Sequence, residues 1–520
     1  MKWGVVLLSF LYAGMLCAVE TEPTLFIAKL KSGALAAQSS SQLPQGINKV
    51  TPINFSKAGQ IQAASEGSGY LVYESSPSAN LEIVLKILQA QTNLEYVEKV
   101  YPIQVHSASN SNQMVSTLAV VQPLSALAEN ESVLVAVIDS GIDYTHPDLS
   151  QSVYQNLNEN INGKDDDGNR FVDDKWGYQF YRYNPNSISP NPIDSFGHGT
   201  HLAGIIGAQS SNNTGMNGIN GHVKLLNTSF LNGFGYGNQV DAAKAIIYSV
   251  DNGARVINCS WGYSDYNTVL KEAIDYALSK GVIVVASSGN NGSTATQYPA
   301  SFQGVLSVGS NKSASEKSDF SNYGPQLFIL LPGENVPSCL PKNGYGTKTG
   351  TSQSAAMLTG IISKMLSYKP NLTPQEVKSL LQKSTQDIYS PGRDDFSGYG
   401  VLDPSKLVYY LKSASNENTL RTTATEVGKP LNFPNPFGSQ GTRFGVQSDD
   451  FGTLTVRIFN RFGALVQTLQ QAVNPGYNTL FWNGSSDSQK ELSNGTYFYV
   501  TELSTSSKTI VQKNRLTILR

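Results

Sequence analysis

Between residues 125 and 412 the chain alternates short apolar runs with longer stretches of helical periodicity. Ser132 to Ile138 is rich in Val and Ile, the composition of a strand buried on both faces. Thr200 to Ala208 follows a glycine and reads as a helix, and Leu225 to Phe230 reads as a strand. A helix is expected over Asp241 to Asn252, with Gly253 placed to end it, and then a strand over Arg255 to Ser260. The pattern repeats with a helix over Thr268 to Lys280, Gly281 at its end, and a strand over Val282 to Ala286. This alternation predicts an α/β domain over 111–412, a doubly wound, mostly parallel sheet with helices on both faces. Sites in such folds form in loops at the carboxyl ends of the strands.

The flanks read differently. Tyr70-Leu71-Val72-Tyr73 is a short strand, Leu81 to Leu94 is a helix with Leu81, Val84, Leu85 and Leu88 on one face, and Tyr96 to Val105 is another strand. These predict a small α+β unit over 19–110, with the polar Ser107 to Gln113 as an exposed linker and cleavage zone. Residues 413–430 are polar and aperiodic, a linker. Beyond them Thr453 to Phe459, Asn478 to Trp482, Tyr497 to Glu502 and Ile510 to Leu519 are short strands punctuated by Gly and Asn, which predict a β-sandwich over 431–520. At the other end, Lys2 precedes an apolar stretch from Val5 to Leu16 and Ala18 suits a cleavage site, so 1–18 is expected to be a signal peptide. Cys17 raises lipidation as an alternative, against which Gly14-Met15-Leu16 is a poor lipobox.

Composition narrows the partners. A length of 520 residues implies about three domains. Charged residues make up 15% of the chain and the net charge is −2, so there is no basic field to gather nucleic acid or anionic membrane. Of three cysteines, Cys17 leaves with the signal, and Cys259 and Cys339 make no disulfide framework. Cys259 lies in an apolar strand and reads as a buried small residue.

Three segments carry parts for acyl transfer, which needs a nucleophile, a base and a group that orients the base. In Val137-Ile138-Asp139-Ser140-Gly141 an acid closes an apolar strand; alone, it equally reads as a turn or helix-cap residue. In Gly197-His198-Gly199-Thr200-His201 glycines flank an imidazole at the start of a helix. Gly350-Thr351-Ser352 opens an apolar helical stretch through Leu366, where the serine alone reads equally well as an N-cap. The order Asp, His, Ser is one of three known for this triad.

Taken together, these segments resemble those of the subtilisin family. Val135 to Asp143 looks like its Asp motif, followed by His146-Pro147-Asp148-Leu149; Gly197 to Gly204 looks like its His motif, and Gly350-Thr351-Ser352 like its Ser motif. Ser288-Gly289-Asn290-Asn291-Gly292 resembles the oxyanion segment, and Tyr298-Pro299-Ala300, Phe320 to Gly324 and Pro332-Gly333 match further landmarks. The resemblance implies a secreted serine endopeptidase acting on polypeptides. Ser352 would attack the carbonyl, His198 would take its proton, Asp139 would orient the imidazole, and Asn290 with the Ser352 N–H would hold the oxyanion. It aligns Gly235, Tyr236 and Gly237 with the strand that pairs with the substrate backbone, and Ser260, Trp261 and Gly262 with the other side of the primary pocket. It makes the unit over 19–110 a propeptide that inhibits its own chain; the alternative is an ordinary domain that stays attached. Calcium is the implied cofactor, with Asp165, Asp167, Asn169 and Asp174 as ligands in an acidic loop. Asp148 and Asn212 resemble a further calcium site interrupted by an insertion.

One departure is plain: the family has proline four residues after the serine, and this chain has Ala356. That keeps open a weakly active or inactive surface-binding protein on a protease scaffold, and transfer of the acyl group to an amine is a third reading. Phe433 to Phe437, Ile458 to Gly463, Phe481 to Gly484 and Asn494 to Phe498 resemble Ig-like modules of flagellar hook-cap and secretion-sorting proteins. They imply contact with the cell surface or the secretion machinery, with a plain stabilising sandwich as the alternative.

Overall fold

The computed structural model describes residues 25–31, 43, 47–53, 70–76, 79–91, 93–105, 122–181, 191–209, 215–412, 431–448, 450–473, 476–506 and 509–520. The expected signal peptide, the zone from Ser107 to Gln113, the linker over 413–430 and Asn212 lie outside them. The chain divides into two compact units, Met1–Lys406 and Leu407–Arg520. No described helix is long and apolar enough to cross a membrane.

The first unit begins with an antiparallel sheet of β1 (Leu25–Leu30), β2 (Ile47–Ile53), β3 (Tyr70–Ser75) and β4 (Leu94–Lys99), in the order β2-β3-β1-β4. Helix α1 (Leu81–Gln89) starts where the Asn80 side chain accepts from the N–H groups of Glu82 and Ile83. Its buried Val84 and Leu88 face the sheet, as the periodicity predicts. The helix stops short of Leu94, which pairs with Leu30 as the start of β4. The apolar stretch from Tyr96 to Val105 is also two strands. β4 stays in this sheet, while β5 (Pro102–Gln104) leaves it.

The central sheet is built from β6 (Val133–Asp139), β7 (Tyr178–Gln179), β8 (Val223–Ser229), β10 (Val256–Cys259), β11 (Ile283–Ser287), β12 (Leu306–Ser313), β14 (Leu327–Pro332), β17 (Thr385–Gln386) and β18 (Val401–Leu402), with β13 (Glu316–Lys317) turned back on β12. Its order is β17-β18-β14-β12-β11-β10-β6-β8-β7, and every pair from β14 to β7 is parallel. β6 holds the point where the winding reverses, with β8 on one side and β10 on the other. In open α/β sheets, ligands bind outside the carboxyl ends of the strands at such a point. Helices α2 (Gly199–Gly207) and α5 (Thr351–Tyr368) pack on one face, and α3 (Gln239–Asp251) and α4 (Thr268–Ser279) on the other. Helix α5 is buried along nearly its whole length, which explains why its sequence is apolar or small all round. Gly253 and Gly281 close α3 and α4 at positive φ, 85° and 75°, as the punctuation implied. Beyond the sheet lie β9 (Tyr236–Asn238), the hairpin of β15 (Val336–Leu340) and β16 (Gly344–Lys348), and α6 (Pro374–Lys383).

The second unit contains two antiparallel sheets, β19 (Leu431–Phe433), β20 (Thr442–Ser448) and β23 (Gly476–Trp482) in one, and β21 (Gly452–Phe459), β22 (Leu465–Val473), β24 (Gly495–Thr505) and β25 (Thr509–Ile518) in the other. Phe444, Val446 and Trp482 of the first share a core with Val456, Ile458, Tyr499 and Leu516 of the second, as in a sandwich.

Candidate active site

Asp139 ends β6 at the reversal point and is fully buried. Its Oδ1 accepts from the Ser140 N–H at 2.8 Å and lies 2.7 Å from His198 Nδ1. A carboxylate only accepts, so Nδ1 carries the proton and Nε2 is left with its lone pair. That Nε2 is buried and has no hydrogen-bond partner among the described residues.

His198 is the N-cap residue of α2, yet its side chain caps nothing. The capping falls to Asp194, a buried acid the sequence reading did not single out. Its Oδ1 accepts from Gly197 N at 2.7 Å, Phe196 N at 2.9 Å and Ser140 Oγ at 3.0 Å. Its Oδ2 accepts from Thr200 N at 2.9 Å and Thr200 Oγ1 at 2.6 Å. Ser140 Oγ in turn accepts from Gly199 N at 2.9 Å. One carboxylate thus ties the turn after Asp139 to the helix start that bears His198. The available signal was an acid just ahead of a predicted helix N-terminus. The glycine beside the histidine has a steric cause: a Cβ on Gly199 would lie 2.1 Å from Gly141 O.

Ser352 is the second residue of α5 and caps nothing. Its Oγ donates to Ser260 O at 3.0 Å, and Ser260 Oγ donates back to Ser352 O at 3.0 Å. Asn290 does the capping, its Oδ1 accepting from Thr351 N and Thr351 Oγ1, both at 2.9 Å. Held by its oxygen, the amide turns its NH2 to the other side. A Cβ on Gly350 would crowd that nitrogen at 3.0 Å, so the position before the helix must be bare. Gln353 N bonds to Gly350 O, which leaves the Ser352 N–H without a partner among the described residues. Helix α5 passes through the buried Ala356 unbroken.

Gly235, Tyr236 and Gly237 lie along β9, and β9 pairs antiparallel with β5. Ser260 adjoins Ser352, and Gly262 backs onto Gln297, whose Oε1 would sit 3.1 Å from an added Cβ. Trp261 is fully buried, its Nε1 donating to Ile138 O at 2.7 Å and its ring edge-on to Phe230. Tyr236 is exposed.

In the acidic loop Asp165 and Asp167 converge with Glu159, their carboxylate oxygens all within 4.8 Å of one another. Glu159 was not among the expected ligands. It is buried, accepts from the N–H groups of Asp166, Asp167 and Asp173, and burial and the charges of Asp174 and Asp167 push its carboxyl up. Asn169 Nδ2 donates to Asp167 Oδ2 at 3.1 Å and to Asp174 Oδ2 at 3.0 Å, and Asp174 also accepts from Tyr248 OH at 2.8 Å and Asn156 Nδ2 at 2.7 Å. Asp148 accepts from Tyr345 OH and Met216 N, each at 2.8 Å. Both cysteines are buried thiols; burial pushes Cys339 up to about 12 and Cys259 up as well. His201 is fully buried. Burial first, then the charges of Lys348 and His198, push it down to about 3.

Residues 130–400 match the subtilase family, and residues 441–518 match a type IX secretion signal domain (CHU_C), which makes this a secreted or cell-surface protein. The chain is 35% identical to a thermophilic serine proteinase of Bacillus sp. (strain AK1) across 53% of its length and 61% of that protein's. It is 32% identical to a cell wall-associated protease of Bacillus subtilis (strain 168), across 56% of its length and 33% of that protein's. Identity to thermitase of Thermoactinomyces vulgaris is 33%, across 55% of this chain and 91% of thermitase. The chain thus spans less than two thirds of the first two relatives, 61% and 33%, and 91% of the third. It belongs to the subtilase family.

Proposed function

We propose that this protein is a serine endopeptidase that cleaves polypeptides and is made as a self-inhibited, self-processing precursor. The observation that carries the reading is the 2.7 Å contact between His198 Nδ1 and the buried Asp139, which leaves Nε2 as a base. Ser352 Oγ would leave Ser260 O and turn to Nε2 when a carbonyl is presented, a rearrangement that resting enzymes often require. Attack moves the hydroxyl proton to Nε2, and the imidazolium formed is stabilised by Asp139 and passes that proton to the leaving amine. The Asn290 NH2 and the Ser352 N–H are the donors for the oxyanion. Losing one such donor typically costs about 3–4 kcal/mol of transition-state stabilisation. Water then releases the acyl group by the same route in reverse.

The unit over 19–110 acts as the inhibitor. Its β5 occupies the edge of β9, with Tyr101 N donating to Gln239 Oε1 at 2.6 Å and Val105 N to Gly235 O at 3.2 Å. Its Glu98 accepts from Thr268 N at 2.8 Å at the start of α4, and its Lys29 pairs with Glu272 at 2.9 Å. Three converging carboxylates suit a hard cation, so Glu159, Asp165 and Asp167 would hold calcium. The ion would neutralise their charge and stiffen the loop. The second unit would carry the export contact.

The test compares the purified full chain with its Ser352→Ala variant, by intact mass and by cleavage of unfolded casein. We expect only the wild type to shed an N-terminal fragment and to cut casein. Full-length chains and intact casein in both samples would leave the surface-binding reading in its place.

A further inference from the structure

Apart from the triad, one buried cluster brings nitrogen, oxygen and sulfur together. His146 and Cys339 are 0% exposed and Asp148 is 2% exposed. An imidazole nitrogen, a carboxylate oxygen and the Cys339 Sγ all lie within 4.8 Å of one another. His146 and Asp148 follow β6, whereas Cys339 belongs to β15, much later in the chain. Only the fold makes them neighbours.

The surroundings orient the trio. Gly344 O lies 3.1 Å from His146 Nε2; a carbonyl only accepts, so Nε2 carries the proton and Nδ1 the lone pair. The Asp148 N–H donates to that Nδ1 at 3.1 Å, which puts the lone pair on the side of Asp148. Asp148 Oδ2 accepts from Tyr345 OH and Met216 N, each at 2.8 Å. The Tyr345 ring stands edge-on to His146 at 5.1 Å and is half exposed, so on that side the cover over the trio is one side chain deep. An imidazole that gives its other N–H to a backbone carbonyl, beside a carboxylate that is itself hydrogen-bonded, has the support that metal ligands need.

The donor set selects the ion. Calcium takes oxygen ligands, whereas thiolate and imidazole suit zinc. Zinc holds such atoms at about 2.0–2.3 Å, so the three would draw in by roughly 1 Å each. Binding exchanges the Asp148 N–H contact at Nδ1 for the metal and releases the thiol proton to solvent.

We propose that His146 Nδ1, a carboxylate oxygen of Asp148 and Cys339 Sγ form a site for a thiophilic divalent cation of the zinc class, separate from the acidic loop at Glu159. The ion would staple the segment that follows Asp139 to the hairpin that precedes Ser352. Lys342 N already donates to Asp143 Oδ2 at 2.8 Å across the same seam. A Cβ on Gly204 would lie 3.1 Å from Cys339 Cβ, so the helix that begins at His198 also packs on this cluster.

The test uses the full chain carrying Ser352→Ala, so that it stays whole, with calcium in excess to fill the acidic loop. Cobalt(II) is titrated in, the thiolate-to-cobalt absorption is followed, and zinc is then added. We expect one cobalt per chain, a band that zinc abolishes, and a melting temperature that zinc raises above its value in calcium alone. Cys339→Ser should lose the band, His146→Gln should weaken cobalt binding about tenfold or more, and Cys259→Ala should keep both. The parent chain decides first: no thiolate band there would overturn the inference. A band that survives Cys339→Ser would overturn it as well. Should Cys339→Ser fail to fold by circular dichroism, His146→Gln decides in its place, and unchanged cobalt affinity in that variant would overturn the inference.

Discussion

Ser260 and Ser352 exchange hydrogen bonds, each hydroxyl donating to the other's carbonyl at 3.0 Å. The arrangement bears on Ala356, whose N–H is the helical partner expected for Ser352 O. Proline at that position removes this N–H, and inside a helix it usually costs about 3 kcal/mol. Here the Ser260 hydroxyl still reaches the carbonyl, so Ala356→Pro should cost less than that. Urea unfolding checks it: the midpoint should fall further in Ala356→Pro with Ser260→Ala than the two single changes add up to.

Asp194 accepts five hydrogen bonds that join Ser140 to the start of α2. Asp194→Ala strands buried donors and should cost about 3 kcal/mol of stability. Because Asp194 positions His198 without touching substrate, kcat on a short peptide should fall well below wild type with KM little changed, and Asp194→Asn should recover part of it. Steady-state kinetics on the three proteins measures this.

His201 gives a pH dependence. Its folded pKa lies at about 3, below the ordinary 6.5, so below pH 6.5 the unfolded chain takes up a proton that the folded one does not. The contribution is complete above pH 6.5 and is lost as the pH falls toward 3, at up to about 1.4 kcal/mol per unit. In His201→Gln the slope of unfolding free energy between pH 6 and about 4 should be shallower by up to one proton. Denaturant titrations across that range decide the matter.

Calcium should raise the melting temperature through the acidic loop. At a hundredfold excess over Kd the gain is about 2.7 kcal/mol. Glu159→Gln should lose most of the rise, since it removes the buried member of the carboxylate trio, whereas Asn169→Ser should keep most of it. Melting curves with calcium and with a chelator provide the readout.

These expectations separate what local pattern carries from what it does not. The order of strands and helices was legible because Val- and Ile-rich runs and glycine stops recur from β6 to β11. The segments around Asp139, His198, Asn290 and Ser352 were legible because each sits where an element begins or ends. Asp194 was not, since its role depends on Ser140, far away in the chain. Glu159 was missed for a similar reason: it joins Asp165 and Asp167 from outside the run of acids that drew attention. The division of Tyr96 to Val105 into two strands is likewise a long-range effect. The break after Lys99 appears only once β9 is present to receive β5.

Several polar contacts join the N-terminal sheet to the central domain among the described residues. Glu98 takes an N–H at the start of α4, where the helix dipole favours a negative charge. Lys29 and Tyr70 both reach Glu272. Glu272→Ala removes both of the latter contacts at once. Partly exposed pairs of this kind contribute about 1 kcal/mol or less each, so the sheet should still fold and remain docked, but open more often. In the Ser352→Ala background, where the chain cannot cut itself, the Val105 amide should exchange its hydrogen several-fold faster, while amides inside β6 keep their protection. Equal rates at Val105 would mean that the apolar seating of Ile103 and Val105 holds the segment without help from Glu272.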